Sequence, residues 1–408
     1  MRCAAALLLL LALPASAAGE PAWSRALAAR VVEIDRAHPG ALSLYVQDVA
    51  SGEDYGYGAD APSYLSSTIK LVVALEVLRQ VDAGTLVLGQ TLPLREEDVR
   101  DGVGPLSVAD VGRWPRVDEL LELMLVRSDN SAADRLISLV GEAQLDAEAV
   151  RRGLHFGPLR SLLFERHLLY GLLDPRGAQL SGLQLRELGR HDSLQARAAA
   201  FAQLVGEAPE RYGALDLVRA FEALYATGVN SAPVREMGAL LAQVSRCEAL
   251  SAASCERLHA LMRACRTGAA RIRAGLPAQL PWAHKTGTQY QRACDVGFFL
   301  RAPGRPVVVV ACARDFVRVP EAEASFAAVG RAVSEALERE APLPVGEGPG
   351  GGRGPPPVEG SLRGRGERWA APSLRNPVAP PRERWDGAAA GRAARADGAP
   401  PPGAAGAR

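Results

Sequence analysis

The sequence predicts an α+β fold, in which an antiparallel sheet of about five strands comes from both chain ends and a mostly helical lobe is inserted between them. Strand-like alternation of apolar and polar residues occupies residues 42–58 and returns in three segments between residues 283 and 313. The long stretch between them carries apolar residues at helical spacing. With 408 residues, of which 48% are hydrophobic, the chain is large enough to bury a sizeable core.

The two ends of the chain differ in composition from its middle. Residues 1–18 combine an early arginine, an apolar run too short to span a bilayer, and small residues, which predicts a signal peptide and export to the periplasm or beyond the cell. Residues 341–408 are rich in Pro, Gly and Arg without periodicity, which predicts a disordered tail. We therefore expect one folded domain over residues 19–340, with no membrane span.

The elements of this domain follow in order. The segment "LSLYVQDVASGEDYGYG" predicts two strands joined by a turn. A helical lobe over about residues 68–266 begins with "STIKLVVALEVLRQVDAG", ending at Gly84, and continues with "RVDELLELMLV" and "SAADRLISLVG". Three strands are predicted in "AHKTGTQY", "CDVGFFL" and "PVVVVACA", and a last helix in "PEAEASFAAVGRAVSEALERE".

Charge and cysteine content exclude several classes of function. The net charge of +1 gives no bias toward nucleic acid or a membrane surface. Without Cys3, five cysteines remain, so at least one thiol lacks a partner. Cys294 and Cys312 flank a predicted hairpin and either form a disulfide or stay buried as free thiols. No Cys or His spacing matches a metal site, so we expect no metal and no cofactor.

The chain's two lysines mark candidate catalytic positions. Of 47 basic residues, only Lys70 and Lys285 are lysine. An arginine keeps its proton in a protein, whereas a buried lysine can release it and act as a base. Ser67 lies three residues before Lys70, on the same face of a predicted helix start. Such a pair can generate a serine nucleophile, and the free N–H groups of the helix start can stabilise an oxyanion.

Two further motifs accompany this pair. "SDN" at residues 128–130 lies between two predicted helices, where a turn fixed by Asp129 would present Ser128 and Asn130 to a cleft. The alternative is that Asn130 or Ser131 merely caps the following helix.

"KTGT" at residues 285–288 opens a predicted strand. There Lys285 supplies a cation, Thr286 a hydroxyl, and Gly287 room for the backbone of a substrate.

The order Ser-x-x-Lys, Ser-Asp-Asn, Lys-Thr-Gly resembles the active-site set of class A β-lactamases and penicillin-binding proteins. The likeness extends along "STIKLVVALEVLRQVDAG", "MLVRSDNSAADRL" and "TGAARIRAGLP", over roughly residues 40–340. The resemblance implies that Ser67 is acylated, with Lys70 as its base or proton relay, and that Ser128 passes a proton to the leaving nitrogen. It further implies that Asn130 holds the side-chain amide of the substrate, and that Lys285 and Thr286, helped by Arg271, bind the carboxylate of the substrate. The oxyanion hole would be formed by the N–H groups of Ser67 and Thr288.

The segment expected to supply the deacylating base departs from that family. Class A enzymes use a glutamate in a pattern like Glu-x-x-Leu-Asn, whereas here Glu165 falls one residue late and Leu169 replaces the asparagine. The family's Arg–Asp brace also has no clear counterpart, because Gly177 follows "DPR". Glu165 is therefore either the base or a solvated surface acid. A helical insertion is expected over about residues 178–212.

The resemblance implies a small-molecule β-lactam or D-Ala-D-Ala-like peptide as substrate, and we expect a monomer. Our first hypothesis is a secreted serine hydrolase that opens β-lactams, with slow deacylation because Leu169 offers no hydrogen bond to a water. The alternatives are a D-alanyl peptidase or acyltransferase acting on cell-wall peptide, and a penicillin-binding sensor that stays acylated.

Overall fold

The computed structural model describes residues 21–248 and 250–339. The predicted signal peptide and tail thus lie outside the described residues. Within the described part, none of the helices combines the length and apolar character needed to cross a bilayer.

The main sheet has five antiparallel strands in the order β2-β1-β7-β6-β5. Two come from the start of the chain and three from its end, so the predicted sheet is confirmed. A second sheet pairs the short strands β3 and β4, which the sequence analysis did not predict. The strands are β1 Ala41–Asp48, β2 Asp54–Tyr57, β3 Pro62–Tyr64, β4 Ser231–Pro233, β5 Ala283–Gln289, β6 Arg292–Ala302 and β7 Arg305–Arg314.

Thirteen helices lie in the described residues. They are α1 Ala22–Ala37, α2 Lys70–Asp82, α3 Val117–Val126, α4 Asn130–Val140, α5 Glu142–Arg151, α6 Leu162–Leu173, α7 Gly182–Gly189, α8 Leu194–Leu204, α9 Ala214–Ala226, α10 Val234–Ser245, α11 Ala252–Arg263, α12 Ile272–Gly275 and α13 Val319–Glu338. Helix α1 was not predicted, although Trp23, Leu27, Val31 and Ile34 follow helical spacing and are all buried.

The sheet is buried on both faces, which explains the unbroken valine run of β7. Val307 and Val309 pack in one core cluster with α1 and α13, whereas Val308 and Val310 belong to the cluster shared with α2, α3, α4 and α10. Successive strand residues point to opposite faces, so a strand covered on both sides is apolar throughout.

Helices α6 to α9 enclose a third core of their own. Leu169, Phe201 and Phe221 are fully buried in it, and Tyr170 stacks on Phe201 with ring centroids 5.3 Å apart. The insertion expected over about residues 178–212 lies inside this group, but the shared core begins before it, at Leu169, and ends after it, at Leu224.

The cysteines form two disulfides in the described residues. Cys294 and Cys312 face each other across β6 and β7 and are joined, so the free-thiol alternative is wrong for this pair. Cys247 and Cys255 form a second disulfide that was not predicted. Cys265 is free, as the odd number required of one thiol.

Candidate active site

Ser67 lies in a tight turn between β3 and α2. The turn, Ser66–Ile69, is a 3-10 helix, and the α-helix begins only at Lys70, one turn later than the sequence suggested. Ser66 adopts a left-handed backbone conformation with φ of 49°, which is uncommon for a residue with a side chain. Its hydroxyl donates to the Thr288 carbonyl at 2.9 Å, which ties the turn to β5. Ser67 itself is partly exposed.

Gly287 fits directly against this turn. A Cβ atom at this position would lie 2.5 Å from the Leu65 carbonyl oxygen and 3.1 Å from the Ser67 backbone nitrogen. The glycine is therefore required by the protein's own nucleophile turn, a neighbour that the sequence analysis did not foresee. The close approach of a substrate backbone there stays a prediction.

Lys70 is buried and bonded to the "SDN" loop. Its Nζ donates to the Ser128 carbonyl at 2.6 Å and to Asn130 Oδ1 at 2.8 Å, and it lies 3.3 Å from Ser128 Oγ. Burial lowers the pKa of Lys70 well below its usual range, and the nearby charge of Lys285 lowers that pKa further. A shift in this direction favours the neutral amine, which can accept a proton as a general base must.

Lys285 approaches the same serine from the opposite element. Its side chain on β5 is fully buried, and its Nζ donates to Ser128 Oγ at 2.8 Å and to the Thr286 carbonyl at 2.9 Å. Burial lowers the pKa of Lys285 to about 8. The two lysines of the chain thus lie on either side of one hydroxyl, that of Ser128.

The "SDN" loop is held by its central residue. Asp129 caps α4 by accepting from the Ala132 N–H at 2.7 Å, and its other oxygen accepts from the Leu106 N–H at 2.8 Å. Capping by Asn130 or Ser131 is therefore wrong, and Asn130 is left to bind Lys70 and to donate to the Asp101 carbonyl at 2.8 Å. Ser128 has a φ of 56°, so the turn holds it in a strained, left-handed conformation.

Arg271 is buried behind β5. It donates to the carbonyls of Gly287 and Cys294 at 2.9 and 2.8 Å, and to Thr288 Oγ1 at 2.6 Å. These bonds hold the end of β5 and orient the Thr288 hydroxyl, and the help that the resemblance implied from Arg271 in binding a substrate carboxylate stays a prediction. The hydroxyl of Thr286 lies 2.6 Å from that of Thr267, so the Thr286 hydroxyl is bonded to another hydroxyl and the Thr288 hydroxyl to a cation.

Glu165 is buried, with only 3% of its surface exposed, so the solvated-acid alternative is wrong. Its Oε2 accepts from the Tyr64 hydroxyl at 2.5 Å and from Asn230 Nδ2 at 3.1 Å. Its Oε1 accepts from Gln289 Nε2 at 3.2 Å and lies 3.5 Å from Arg166 Nη1. Leu169 is buried in the core of α6 to α9, so the amide next to the glutamate comes from Asn230 instead.

Asn230 also closes the base of the segment that carries Glu165. Its Oδ1 accepts from the Arg160 N–H at 2.9 Å, and its Nδ2 lies 3.2 Å from the Arg160 carbonyl. The two ends of residues 160–230 are therefore joined by one amide side chain, where the sequence analysis found no brace. Gln289 follows the "KTGT" motif directly and Tyr64 precedes Ser67 by three residues, but no local pattern distinguishes Asn230.

Metal-binding side chains come together away from this site, at Cys247, Cys255 and His259. The disulfide between the two cysteines consumes both thiolates, which leaves His259 alone as a ligand.

Comparison with known proteins agrees with this geometry. The model of the beta-lactamase enzyme family matches residues 25–337. A beta-lactamase of Streptomyces fradiae is 28% identical over 338 residues, covering 80% of this chain and 92% of that protein. Beta-lactamase L2 of Stenotrophomonas maltophilia is 31% identical over 108 residues, covering 26% of this chain and 35% of that protein.

Solved structures resemble the fold over most of its length. A beta lactamase from Xanthomonas campestris has a TM-score of 0.58 at 25% identity, covering 77% of this chain and 98% of that one. An ancestral class A beta-lactamase has a TM-score of 0.57 at 27% identity, covering 76% and 99%. A protein named PBP-A shares the fold with a TM-score of 0.58 at 21% identity, covering 78% and 97%. The chain belongs to the beta-lactamase enzyme family, and it is a β-lactamase-like serine hydrolase that acts on the amide bond of β-lactams.

Proposed function

We propose that the protein is an exported hydrolase of class A type that opens the β-lactam amide through an acyl-enzyme on Ser67 and deacylates slowly. The observation that carries the proposal is the position of the Ser128 hydroxyl between Lys70 and Lys285, at 3.3 and 2.8 Å, because it supplies a proton route to a leaving nitrogen.

The proposed acylation step uses Lys70 as the base for Ser67 and Ser128 as the acid for the leaving nitrogen. Ser67 Oγ attacks the β-lactam carbonyl carbon while its proton passes to the neutral amine of Lys70. The C–N bond then breaks as Ser128 gives its proton to the nitrogen, and Ser128 recovers a proton from the Lys70 ammonium. Lys285 donates a hydrogen bond to the Ser128 oxygen throughout, which stabilises negative charge as it develops there.

Substrate recognition is proposed for Asn130, Lys285, Thr286 and Thr288. A β-lactam carries a carboxylate near its reactive carbonyl, and a strand with one cation and two hydroxyls suits such a group. Arg271 contributes through Thr288, to which it donates at 2.6 Å.

Two observations support export. The start of the sequence has the pattern of a signal peptide, and two disulfides are present, which are typical of oxidising compartments. Intact mass of protein recovered from outside the cytoplasm should correspond to a chain that starts near Gly19. A mass that includes Met1 would refute cleavage.

Rapid mixing with a chromogenic cephalosporin, followed by intact-mass spectrometry, tests the proposed reaction. We expect a burst of product, a covalent adduct on Ser67, and a slower steady rate, and Ser67→Ala should lose both burst and adduct. An adduct that persists without turnover favours the sensor. Turnover of a D-Ala-D-Ala peptide without β-lactam hydrolysis favours the peptidase. A stable adduct on another serine would refute Ser67 as nucleophile.

A further inference from the structure

We propose that Glu165 is a restrained base: the side chains of Tyr64, Asn230 and Gln289, here called the carboxylate cage, hold its carboxylate in a resting position and limit the rate of deacylation. The inference rests on the proposed function, since it concerns the fate of the Ser67 acyl-enzyme. It adds three positioning residues to the site.

Three of the acceptor positions of the Glu165 carboxylate are filled by hydrogen bonds. A carboxylate offers about four lone-pair positions to donors. Tyr64 and Asn230 occupy those of Oε2, and Gln289 occupies one of Oε1, while Arg166 Nη1 lies 3.5 Å from Oε1 as an ion pair. A general base must accept a hydrogen bond from the attacking water, and the one position left to that water is on Oε1, the oxygen paired with Arg166.

Glu165 has no direct bond to Lys70, the proposed base for the nucleophile, in the part of the chain that the structure describes. Within the described residues, Lys70 Nζ bonds to Ser128 and Asn130, and it forms no ion pair with Glu165. The contacts between the acylating groups and the glutamate run through Asp101, whose carbonyl accepts from Asn130 and whose carboxylate pairs with Arg166. Acylation can proceed at Lys70 and Ser128 while the carboxylate cage keeps the glutamate occupied.

The three donors to Glu165 differ in how firmly the surrounding structure holds them. Tyr64 is buried, and burial, followed by the charge of Glu165, raises its pKa well above the usual range, so its hydroxyl keeps its proton. Asn230 is fixed by both backbone groups of Arg160. Both donors to Oε2 are therefore locked, and Gln289, at the partly exposed end of β5, is the donor most easily released.

Once released, Glu165 acts first as a base toward water and then as an acid toward Ser67. The water oxygen bonds to the acyl carbon as its proton passes to the carboxylate of Glu165. The ester bond to Ser67 then breaks as Glu165 returns that proton to Ser67 Oγ. The observed rate of deacylation is proportional to the fraction of enzyme in which the carboxylate can accept a hydrogen bond from the attacking water.

Tyr64→Phe tests the restraint, because it removes one hydroxyl and leaves the ring in place. Without this hydrogen bond the carboxylate is released more easily. We therefore expect the steady rate of hydrolysis of a chromogenic cephalosporin to rise roughly three- to tenfold. The burst amplitude should stay the same. Gln289→Ala, which removes a donor to the other oxygen, should likewise raise the steady rate and leave the burst amplitude unchanged.

Tyr212→Phe is the matched control. Its hydroxyl donates to the carboxylate of Asp174 at 2.5 Å, so it is the same kind of bond in the group of helices α6 to α9. This variant should keep the wild-type steady rate. In the double variant Tyr64→Phe, Glu165→Gln the gain should vanish, which shows that the hydroxyl acts through the glutamate.

A steady rate in Tyr64→Phe and Gln289→Ala that is unchanged or lower, with the burst intact, would overturn the restraint. A gain that survives Glu165→Gln would overturn it as well. Failure of the proposed function has a different signature, since the wild type itself would then give neither burst nor Ser67 adduct.

Discussion

At the scale of single residues, the use of lysine at only two positions has a chemical reason. Lys70 and Lys285 are both buried, and both contact Ser128. An arginine at either position would keep its charge at every accessible pH and would bring a planar fork in place of a compact ammonium. Burial lowers the pKa of both lysines, to about 8 in the case of Lys285, and so favours the neutral amine, a form that arginine does not adopt.

Replacing Lys70 by arginine should abolish acylation although the positive charge is retained. The reason is that arginine cannot accept the proton of Ser67. We expect at least a thousandfold loss, on the order of what loss of a general base costs, measured as the rate of adduct formation by intact mass. Acylation near the wild-type rate would refute the role of Lys70 as base.

Lys285 should impose a pH dependence on substrate binding. With a pKa lowered to about 8, Lys285 is a cation below this pH and becomes neutral above it. The KM for an anionic β-lactam should therefore rise as pH increases through about 8. In Lys285→Arg the KM should start higher but stay level over the same range, because arginine remains charged. A level wild-type profile would show that Lys285 serves Ser128 and does not bind the carboxylate.

At the scale of secondary-structure elements, contacts between neighbours in sequence were predictable and contacts between distant segments were not. The spacing of Ser67 and Lys70, and the turn at Asp129, follow from local geometry. The surroundings of Glu165 come from β3, from the residue before β4 and from the end of β5. No periodicity of the sequence predicts that those three segments meet. Leu169 was therefore interpreted as the loss of an amide next to Glu165, whereas in the fold Asn230 supplies that amide.

Asp129→Ala should test how the "SDN" loop is held. It removes the N-cap of α4 and leaves the buried Leu106 N–H without an acceptor. We expect a loss of about 2–4 kcal/mol in the free energy of unfolding, measured by denaturant titration. Ser193→Ala, which removes the N-cap of α8, should cost only about 1 kcal/mol. Equal costs for the two variants would contradict a special role for Asp129.

At the scale of the whole domain, the sheet is the part that joins the two chain ends. Strand β1 pairs along its full length with β7, and α13 packs with α1 over one face. The alternation of β1 and the valine run of β7 made this arrangement predictable from sequence. The extent of the helical group α6 to α9 was not, because its core residues have the same helical spacing as the rest of the lobe.

Up to residue 339, where the described part of the chain ends, the last buried contacts lie in α13, which predicts where the chain can be shortened. Leu337 is buried, Arg301 Nη2 donates to its carbonyl at 2.5 Å, and the family match also ends at this residue. A chain that ends at Ala341 should therefore keep its Tm within about 2 °C, because less than about 1 kcal/mol is at stake, and it should keep its burst amplitude. A chain that ends at Gly330 loses the buried side chains of Ala332, Val333, Ala336 and Leu337, so it should unfold at a much lower temperature. A large loss of Tm or of the burst on removal of residues 342–408 alone would show that those residues contribute to the domain or to its site.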